Sequence, residues 1–225
     1  MLLAFSFVSS TASGSEWTMN RLVQDTMQMW IKSHNGFKKA QEQFIYNLSA
    51  ALPSGGDGWA ESLSLFPHVQ CALKQKPKTE RVLLEWADIM IRVAPYVGSS
   101  GDGLRDEIMA TESLRVRTKY LGKDSLRTMH SQLELVELLR HSERFSEAEE
   151  LGLDLMETST AARGSDHPTT LHTKNDLSYT YYKQSHFVKP EELMLGVITT
   201  GKAKLVQDHP VILDAIGHLA TTFYL

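Results

Sequence analysis

The chain is organised by a repeat of 42 residues: residues 129 to 170 read MHSQLELVELLRHSERFSEAEELGLDLMETSTAARGSDHPTT, and residues 171 to 212 read LHTKNDLSYTYYKQSHFVKPEELMLGVITTGKAKLVQDHPVI. The two segments align without a gap, and identical residues share positions in the pairs His130/His172, Leu135/Leu177, Phe145/Phe187 and His167/His209. A fixed period of this length is the signature of a solenoid, in which each unit buries its apolar face against its neighbours. We therefore predict an all-α solenoid of antiparallel helix pairs, with function on a surface rather than in a catalytic pocket.

The composition argues against several functional classes. Of the 225 residues, 42% are hydrophobic and 22% are charged, and the net charge is -4. Lysine and arginine are mixed with aspartate and glutamate, so no basic stripe indicates nucleic-acid binding. No apolar run reaches the roughly 18 residues that a membrane-spanning helix needs. The single cysteine, Cys71, cannot form an internal disulfide, which favours a reducing, cytoplasmic compartment.

Breaker residues divide the chain into three predicted segments. Residues 1–53 contain an alternating Phe5, Phe7 run and a glycine turn, which favour a β-hairpin over a short signal peptide. We interpret this segment as a small winged-helix remnant with a helical extension. Residues 54–78, which open with a cluster of Ser, Gly and Asp, are predicted to form a helical linker. Residues 79–225 hold the repeats, with units at about 87–128, 129–170, 171–212 and a partial unit at 213–225.

Helix-start signals recur at the same place in successive units. Ser146–Glu149 has the pattern of a capping box, so a helix is predicted to start there. The Asp-His-Pro triplets that end at Pro168 and Pro210 place proline in a first helical turn, where its missing amide is tolerated. Leu151 and Leu193 occupy equivalent positions, and we expect both to point into the core.

The repeats resemble a known family. Leu177-x-x-x-Tyr181, Phe187, Glu191-Glu192-Leu193 and Asp208-His209-Pro210 form a pattern similar to kinesin-light-chain-like tetratricopeptide repeats, which bind proteins. The stretch from Met19 to Gln24 also resembles the Met-His-Arg-Leu-Val-Gln stretch that ends the winged-helix part of NB-ARC modules in fungal NLR-like (STAND) proteins. Residues 65–68 and 144–151 resemble the linker and repeat segments of those proteins.

This resemblance implies a non-catalytic ligand-sensing module of a cytoplasmic NLR-like signalling protein. Asn20 replaces the histidine of the family, and no segment matches the nucleotide-binding module itself, so switching by a nucleotide is not implied. In the register of the family, the first helix of each unit lines a concave groove. The implied peptide-binding residues are Glu137, Arg140, His141, His172, Asn175, Tyr179, Tyr182 and Lys183. The tyrosines with their basic neighbours favour a peptide that carries an acidic or aromatic anchor.

Two alternative functions are weighed against this reading. Gly196 to Lys202 matches most of a phosphate-binding loop, which would suit a nucleotide-dependent regulatory ATPase, but the repeat places it inside a helix and Ala203 replaces the magnesium-binding Ser or Thr. A winged-helix DNA binder is the other alternative, and the charge balance disfavours it. We predict no catalytic, cofactor or metal residues. The pair His68 and Cys71 supplies two ligands where zinc needs three or four, so we interpret it as a half-buried histidine and a buried thiol.

The last helix predicts one further partner. Ile216, Leu219 and Phe223 form an apolar helix face, and no second helix follows it in the sequence. Solenoids normally end in a unit with a polar outer face. We therefore expect self-association through this end.

Overall fold

The computed structural model describes residues 8–10, 17–19, 21–33, 36–53, 65–98, 103–185, 188–206 and 208–223. Within these residues the chain forms two short strands, β1 (Val8–Ser10) and β2 (Trp17–Met19), followed by ten helices. The helices are α1 (Arg21–Ser33), α2 (Phe37–Ala51), α3 (Phe66–Leu73), α4 (Glu80–Gly98), α5 (Gly103–Leu121), α6 (Leu126–His141), α7 (Phe145–Arg163), α8 (Pro168–Lys183), α9 (Val188–Lys204) and α10 (Pro210–Phe223).

The predicted winged-helix remnant is not supported. β1 and β2 pair antiparallel, with Val8 opposite Met19 and Ser10 opposite Trp17. A winged helix also needs an apolar core between its helices and its strands, yet α1 exposes 76% of Leu22 and 65% of Met29. A ribbon of three-residue strands beside such a helix is not enough to identify that fold. Most of the linker predicted at residues 54–78, up to residue 64, lies outside the described residues.

Helix contacts follow the order of the chain. Each helix packs against the next one, and the even-numbered helices also pack against each other in the pairs α2–α4, α4–α6, α6–α8 and α8–α10. This alternation is the packing of a solenoid built from helix pairs. The predicted all-α solenoid is therefore confirmed. We call the surface formed by α2, α4, α6, α8 and α10 the even-helix face.

The His-Pro pairs start helices as predicted. α8 begins at Pro168, and the His167 side chain accepts a hydrogen bond from the Thr169 backbone amide at 3.2 Å. His209 accepts one from the Val211 amide at 3.3 Å, one period later. The predicted capping box is wrong, because α7 starts at Phe145 and no side chain caps it.

The turns between helices repeat their backbone conformation. Glu143 and Ser185 lie 42 positions apart, and both adopt positive φ, at 58° and 64°. Gly122 and Gly164 are also one period apart, with φ of 80° and 91°. Glycine adopts this left-handed region without a steric clash because it has no Cβ. Glu143 and Ser185 have a Cβ, so the same conformation is strained at those two positions. The 42-residue period is therefore present in the backbone conformation as well as in the amino-acid sequence.

The core is divided into several clusters between helices, one of which extends from α2 to α5. Leu155 and Val197, one period apart, are 0% and 1% exposed. Leu151 and Leu193 are both half-buried. Leu151 packs against the core cluster that contains Leu135 and Leu139, so it faces the core as expected without being fully buried. α7 packs tightly on α8 at Gly152, where an added Cβ would lie 2.9 Å from Leu177 Cδ2. None of the described helices is long and apolar enough to cross a membrane.

Candidate functional site

All eight predicted groove residues lie on two adjacent helices of the even-helix face. α6 carries Glu137, Arg140 and His141, and α8 carries His172, Asn175, Tyr179, Tyr182 and Lys183. Because α6 packs directly against α8, the residues form two neighbouring groups rather than scattered positions. One group surrounds Asp176, and the other surrounds Tyr179.

Asp176 is the buried centre of a charged cluster. Its side chain is 3% exposed, and its Oδ2 accepts a hydrogen bond from His172 Nδ1 at 3.2 Å. Arg140 Nη1 lies 3.1 Å from Asp176 Oδ1, an ion pair whose angles fall outside those of a hydrogen bond. On the other side of the imidazole, Glu137 Oε1 lies 4.0 Å from His172 Nε2. The cluster joins α6 to α8.

Carboxylates outnumber cations around this cluster. Burial, together with the charges of Asp176 and Glu134, raises the pKa of Glu137 to about 7. Burial disfavours the charged form of His172, but its hydrogen bond to Asp176 and the charges of Asp176 and Glu137 outweigh that effect and raise its pKa. Burial and the neighbouring carboxylates therefore both disfavour the ionised form of Glu137.

Tyr179 forms the second group and is held by basic neighbours. The Arg140 guanidinium carbon lies 5.0 Å from its ring centroid, and Lys183 Nζ lies 5.4 Å from it. The His218 ring of α10 packs on the tyrosine at 4.5 Å between centroids. Tyr179 is half-buried and Lys183 is exposed, so both remain accessible while the ring orientation is fixed. His141, at the end of α6, is also exposed.

Two predicted groove residues lie inside the fold. Tyr182 is 9% exposed, and its hydroxyl donates to the Thr221 carbonyl of α10 at 3.4 Å. Asn175 is 1% exposed, and its Oδ1 accepts from His218 Nδ1 at 3.2 Å. Both side chains therefore tie α8 to α10. The sequence predicted that Asn175 and Tyr182 lie on the groove side of α8. Helical periodicity does not predict that α10 packs over these two positions and buries them.

An arginine-rich cleft lies on the same face and was missed by sequence reasoning. A cavity of about 760 Å³ is lined by residues from α2, α4, α5 and α6, among them Arg81, Arg92, Arg117, Arg127 and His130. Asp88 accepts hydrogen bonds from both Arg117 and Arg127. Arg92 donates to the Ser49 carbonyl at 2.8 Å and to the Leu52 carbonyl at 3.1 Å. The arginines of the cleft come from α4, α5 and α6 and do not recur at one position of the repeat, so the sequence gives no sign that they lie together.

The two short motifs noted in the sequence, the loop-like segment from Gly196 to Lys202 and the pair His68 and Cys71, both lie within helices. The loop-like sequence from Gly196 to Lys202 lies within α9, and a Cβ added at Gly201 would come 2.8 Å from Ile212 Cγ1 of α10. This glycine therefore serves helix packing, and nucleotide binding is not favoured. His68 and Cys71 are both exposed, contrary to our expectation of a buried thiol. His68 makes an edge contact with Phe44, at 6.5 Å between ring centroids.

Comparison with known proteins agrees with this geometry. Residues 128–169 match the family model described as tetratricopeptide repeat. The fold is a tetratricopeptide-repeat-like solenoid. Proteins with such repeats typically bind other proteins and are typically not enzymes. A search of curated proteins finds no significant match to the chain.

Two solved structures share the tetratricopeptide-like fold. A kinesin light chain from Podosopora anserina with nearly identical TPR-like repeats is 18% identical, with a TM-score of 0.55 over 83% of this chain and 85% of that chain. BtubC (BKLC) from P. vanneervenii is 13% identical, with a TM-score of 0.59 over 89% of this chain and 78% of that one. At these identities the similarity shows the fold alone.

Proposed function

We propose that the chain is a non-catalytic protein-interaction module that binds a peptide segment along the even-helix face. The observation that carries this proposal is Tyr179, a large aromatic side chain that stays partly exposed while Arg140, Lys183 and His218 fix its orientation. Aromatic and arginine side chains held in this way are typical anchors of protein interfaces, because little side-chain freedom is lost on binding.

The charges along the face set the chemistry of the ligand. Within the arginine-rich cleft, Arg117 is buried and Arg92 binds backbone carbonyls, whereas Arg81 and Arg127 remain exposed or partly exposed. Guanidinium groups bind carboxylates in a planar, bidentate way, so these two arginines are the donors that a ligand can reach. Two carboxylates, Glu85 and Asp88, balance part of that charge, and Arg81 stacks over Tyr46 at 5.3 Å. We therefore infer that an acidic anchor of the peptide lies towards the cleft and that an aromatic anchor lies near Tyr179.

The biological setting is part of the same proposal. Met19–Gln24 and residues 144–151 resemble segments of fungal NLR-like proteins, as described above. On that basis we propose that the module is the ligand-sensing region of an NLR-like signalling protein in the cytoplasm. Binding of a peptide to the even-helix face is then the sensing event.

A double variant tests the peptide groove. Peptides selected from a random display library on the purified chain supply the probe. Changing Tyr179→Ala with Lys183→Ala should weaken their binding by about tenfold or more, since both residues belong to the proposed anchor site. Affinity is measured by fluorescence anisotropy, and the melting temperature shows whether the variant is folded.

The matched control is on an outer helix. Leu195 and Lys202 of α9 are exposed, so Leu195→Ala with Lys202→Ala removes an apolar group and a lysine away from the even-helix face. If loss of the Tyr179 ring destabilises the fold, the single variant Lys183→Glu tests the same site, because Lys183 is exposed and its replacement should leave the fold intact. If the Tyr179 and Lys183 variants bind as tightly as the control, the binding surface lies elsewhere and the proposal fails.

We also propose self-association through α10. This helix exposes 53% of Leu213 and 42% of Ile216, two large apolar side chains on neighbouring turns. Exposed apolar patches of this kind mark contact surfaces. Light scattering should show a mass that rises with concentration, and Leu213→Glu with Ile216→Glu should return it to the monomer mass. A monomer at every concentration in the unmodified chain would refute this part.

A further inference from the structure

We propose that Glu137, His172 and Asp176 form a binding site for a divalent transition-metal ion, with Zn²⁺ as the best match. The three side chains each offer one ligand atom, and these atoms lie within 4.8 Å of one another. Imidazole and carboxylate ligands together suit zinc, which binds them at about 2.0 to 2.2 Å in a tetrahedron. This inference concerns a different ligand from the proposed peptide and does not depend on it.

The site is built from two rigid helices. His172 and Asp176 are four residues apart on α8, so both project from the same side of that helix. Glu137 comes from α6, the neighbouring helix of the even-helix face. The distance from His172 Nδ1 to Asp176 Oδ2 is 3.2 Å. Ligand atoms around a tetrahedral zinc ion are about 3.4 Å apart at the usual bond lengths. Glu137 Oε1 now lies 4.0 Å from Nε2 of the imidazole, whereas Asp176 Oδ2 lies next to Nδ1. The Glu137 and His172 side chains must therefore rotate to bring both carboxylates to one ring nitrogen.

The surrounding charge favours a cation. Glu134 lies one turn before Glu137 on α6, and its charge and that of Asp176 act on Glu137. From α10, the carboxylate of Asp214 also acts on His172. Two arginines oppose these carboxylates, since Arg140 acts on Glu137 and Arg117 acts on Glu134. A bound dication would therefore enter a region with more negative than positive charge.

Arg140 orients the Asp176 carboxylate and does not block the proposed metal position. Its Nη1 lies next to Asp176 Oδ1, which leaves Oδ2 directed towards His172. Ligating carboxylates commonly have such an outer partner that fixes their orientation. Metal binding replaces the proton shared by His172 and Asp176, so that proton is released to solvent.

The site is also open to solvent on one side. The side chains of His172 and Glu137 are 26% and 31% exposed, while Asp176 is 3% exposed. Three protein ligands with an open side leave one tetrahedral position for water or for a group supplied by a partner. The ion would lie on the same face as Tyr179, between α6 and α8.

The experiment titrates Zn²⁺ into the untagged chain after a chelator has removed bound metal. Calorimetry should show one saturable site, and Co²⁺ in its place should give the visible absorption of a low-symmetry cobalt complex. Glu137→Gln and His172→Ala should each weaken Zn²⁺ binding by about tenfold or more, as loss of a ligand does. Glu137→Gln preserves the side-chain volume, and circular dichroism without metal shows whether each variant is folded.

Two control variants distinguish coordination of Zn²⁺ by specific ligands from nonspecific electrostatic attraction of the cation. Glu134→Gln removes the same charge one helical turn away, and His141→Ala removes an exposed histidine from the same helix. His141→Ala should keep the affinity and stoichiometry of the unmodified chain. Glu134→Gln removes surrounding charge but no ligand, so it should keep the stoichiometry and weaken binding far less than Glu137→Gln does. The proposal is overturned if no saturable binding occurs, if Glu134→Gln weakens binding as much as Glu137→Gln, or if folded His172→Ala binds Zn²⁺ normally.

Discussion

Replacing Leu177 by alanine is expected to lower the free energy of unfolding by about 2 to 5 kcal/mol, the range for buried leucines. Leu177 is 1% exposed in α8, and its branched end fits against Gly152 of α7. Since Gly152 has no side chain that can move into the space, truncation leaves a cavity between the two helices. The loss should therefore fall in the upper part of that range.

Urea unfolding followed by circular dichroism measures the effect as a shift of the midpoint. The control is Leu195→Ala, because Leu195 on α9 is 52% exposed and its removal should change stability by less than about 0.5 kcal/mol. Equal midpoints for the two variants would mean that α7 and α8 do not pack as the structure shows.

Replacing Asp88 by asparagine is expected to lower the free energy of unfolding by about 3 kcal/mol, the lower end of the range for breaking a buried ion pair. Arg117 has a side chain that is 4% exposed, and Asp88 is its carboxylate partner. Arg117 keeps hydrogen bonds to the Arg127 carbonyl and the Ser131 hydroxyl, both at 2.6 Å. These neutral acceptors do not neutralise its charge, so the guanidinium would remain buried without an anion.

The matched comparison is Glu147→Gln. Glu147 pairs with Arg144 on the surface, where the side chains are 58% and 40% exposed. Surface ion pairs contribute little because water and salt screen them. Thermal unfolding of both variants should therefore show a large drop in melting temperature for Asp88→Asn and almost none for Glu147→Gln. A similar small effect in both would show that solvent reaches Arg117.

The sequence predicted the features that depend on neighbours along the chain. The His-Pro pairs placed the starts of α8 and α10, and the Ser146–Glu149 segment placed the start of α7 to within a residue, since these signals act within one turn. The inner position assigned to Leu193 was less accurate, because the repeat defines which side of a helix faces inward but not how deep it lies. Ser146 failed as a cap because Phe145 and Arg144 already begin the helix.

The candidate sites depend on contacts between helices, which no spacing rule supplies. The spacing of His172 and Asp176 was visible as an i, i+4 pair, and it is the signal that would have indicated a cluster. The approach of Glu137 from α6 required the packing of two helices. Likewise, Asp88 meets Arg117 and Arg127 only because α4, α5 and α6 come together.

The order of helix contacts also determines how this chain should fold. Each helix packs against the next one along the sequence, and each even-numbered helix also packs against the next even-numbered one, so the loops that must close are short. Chains with mostly local contacts have low contact order and fold quickly. In such an array stability is a sum of local terms, and folding starts at any sufficiently stable pair. Loss of structure around α10 would then leave α2 to α5 folded, and denaturation would proceed through partly folded states rather than in one cooperative step.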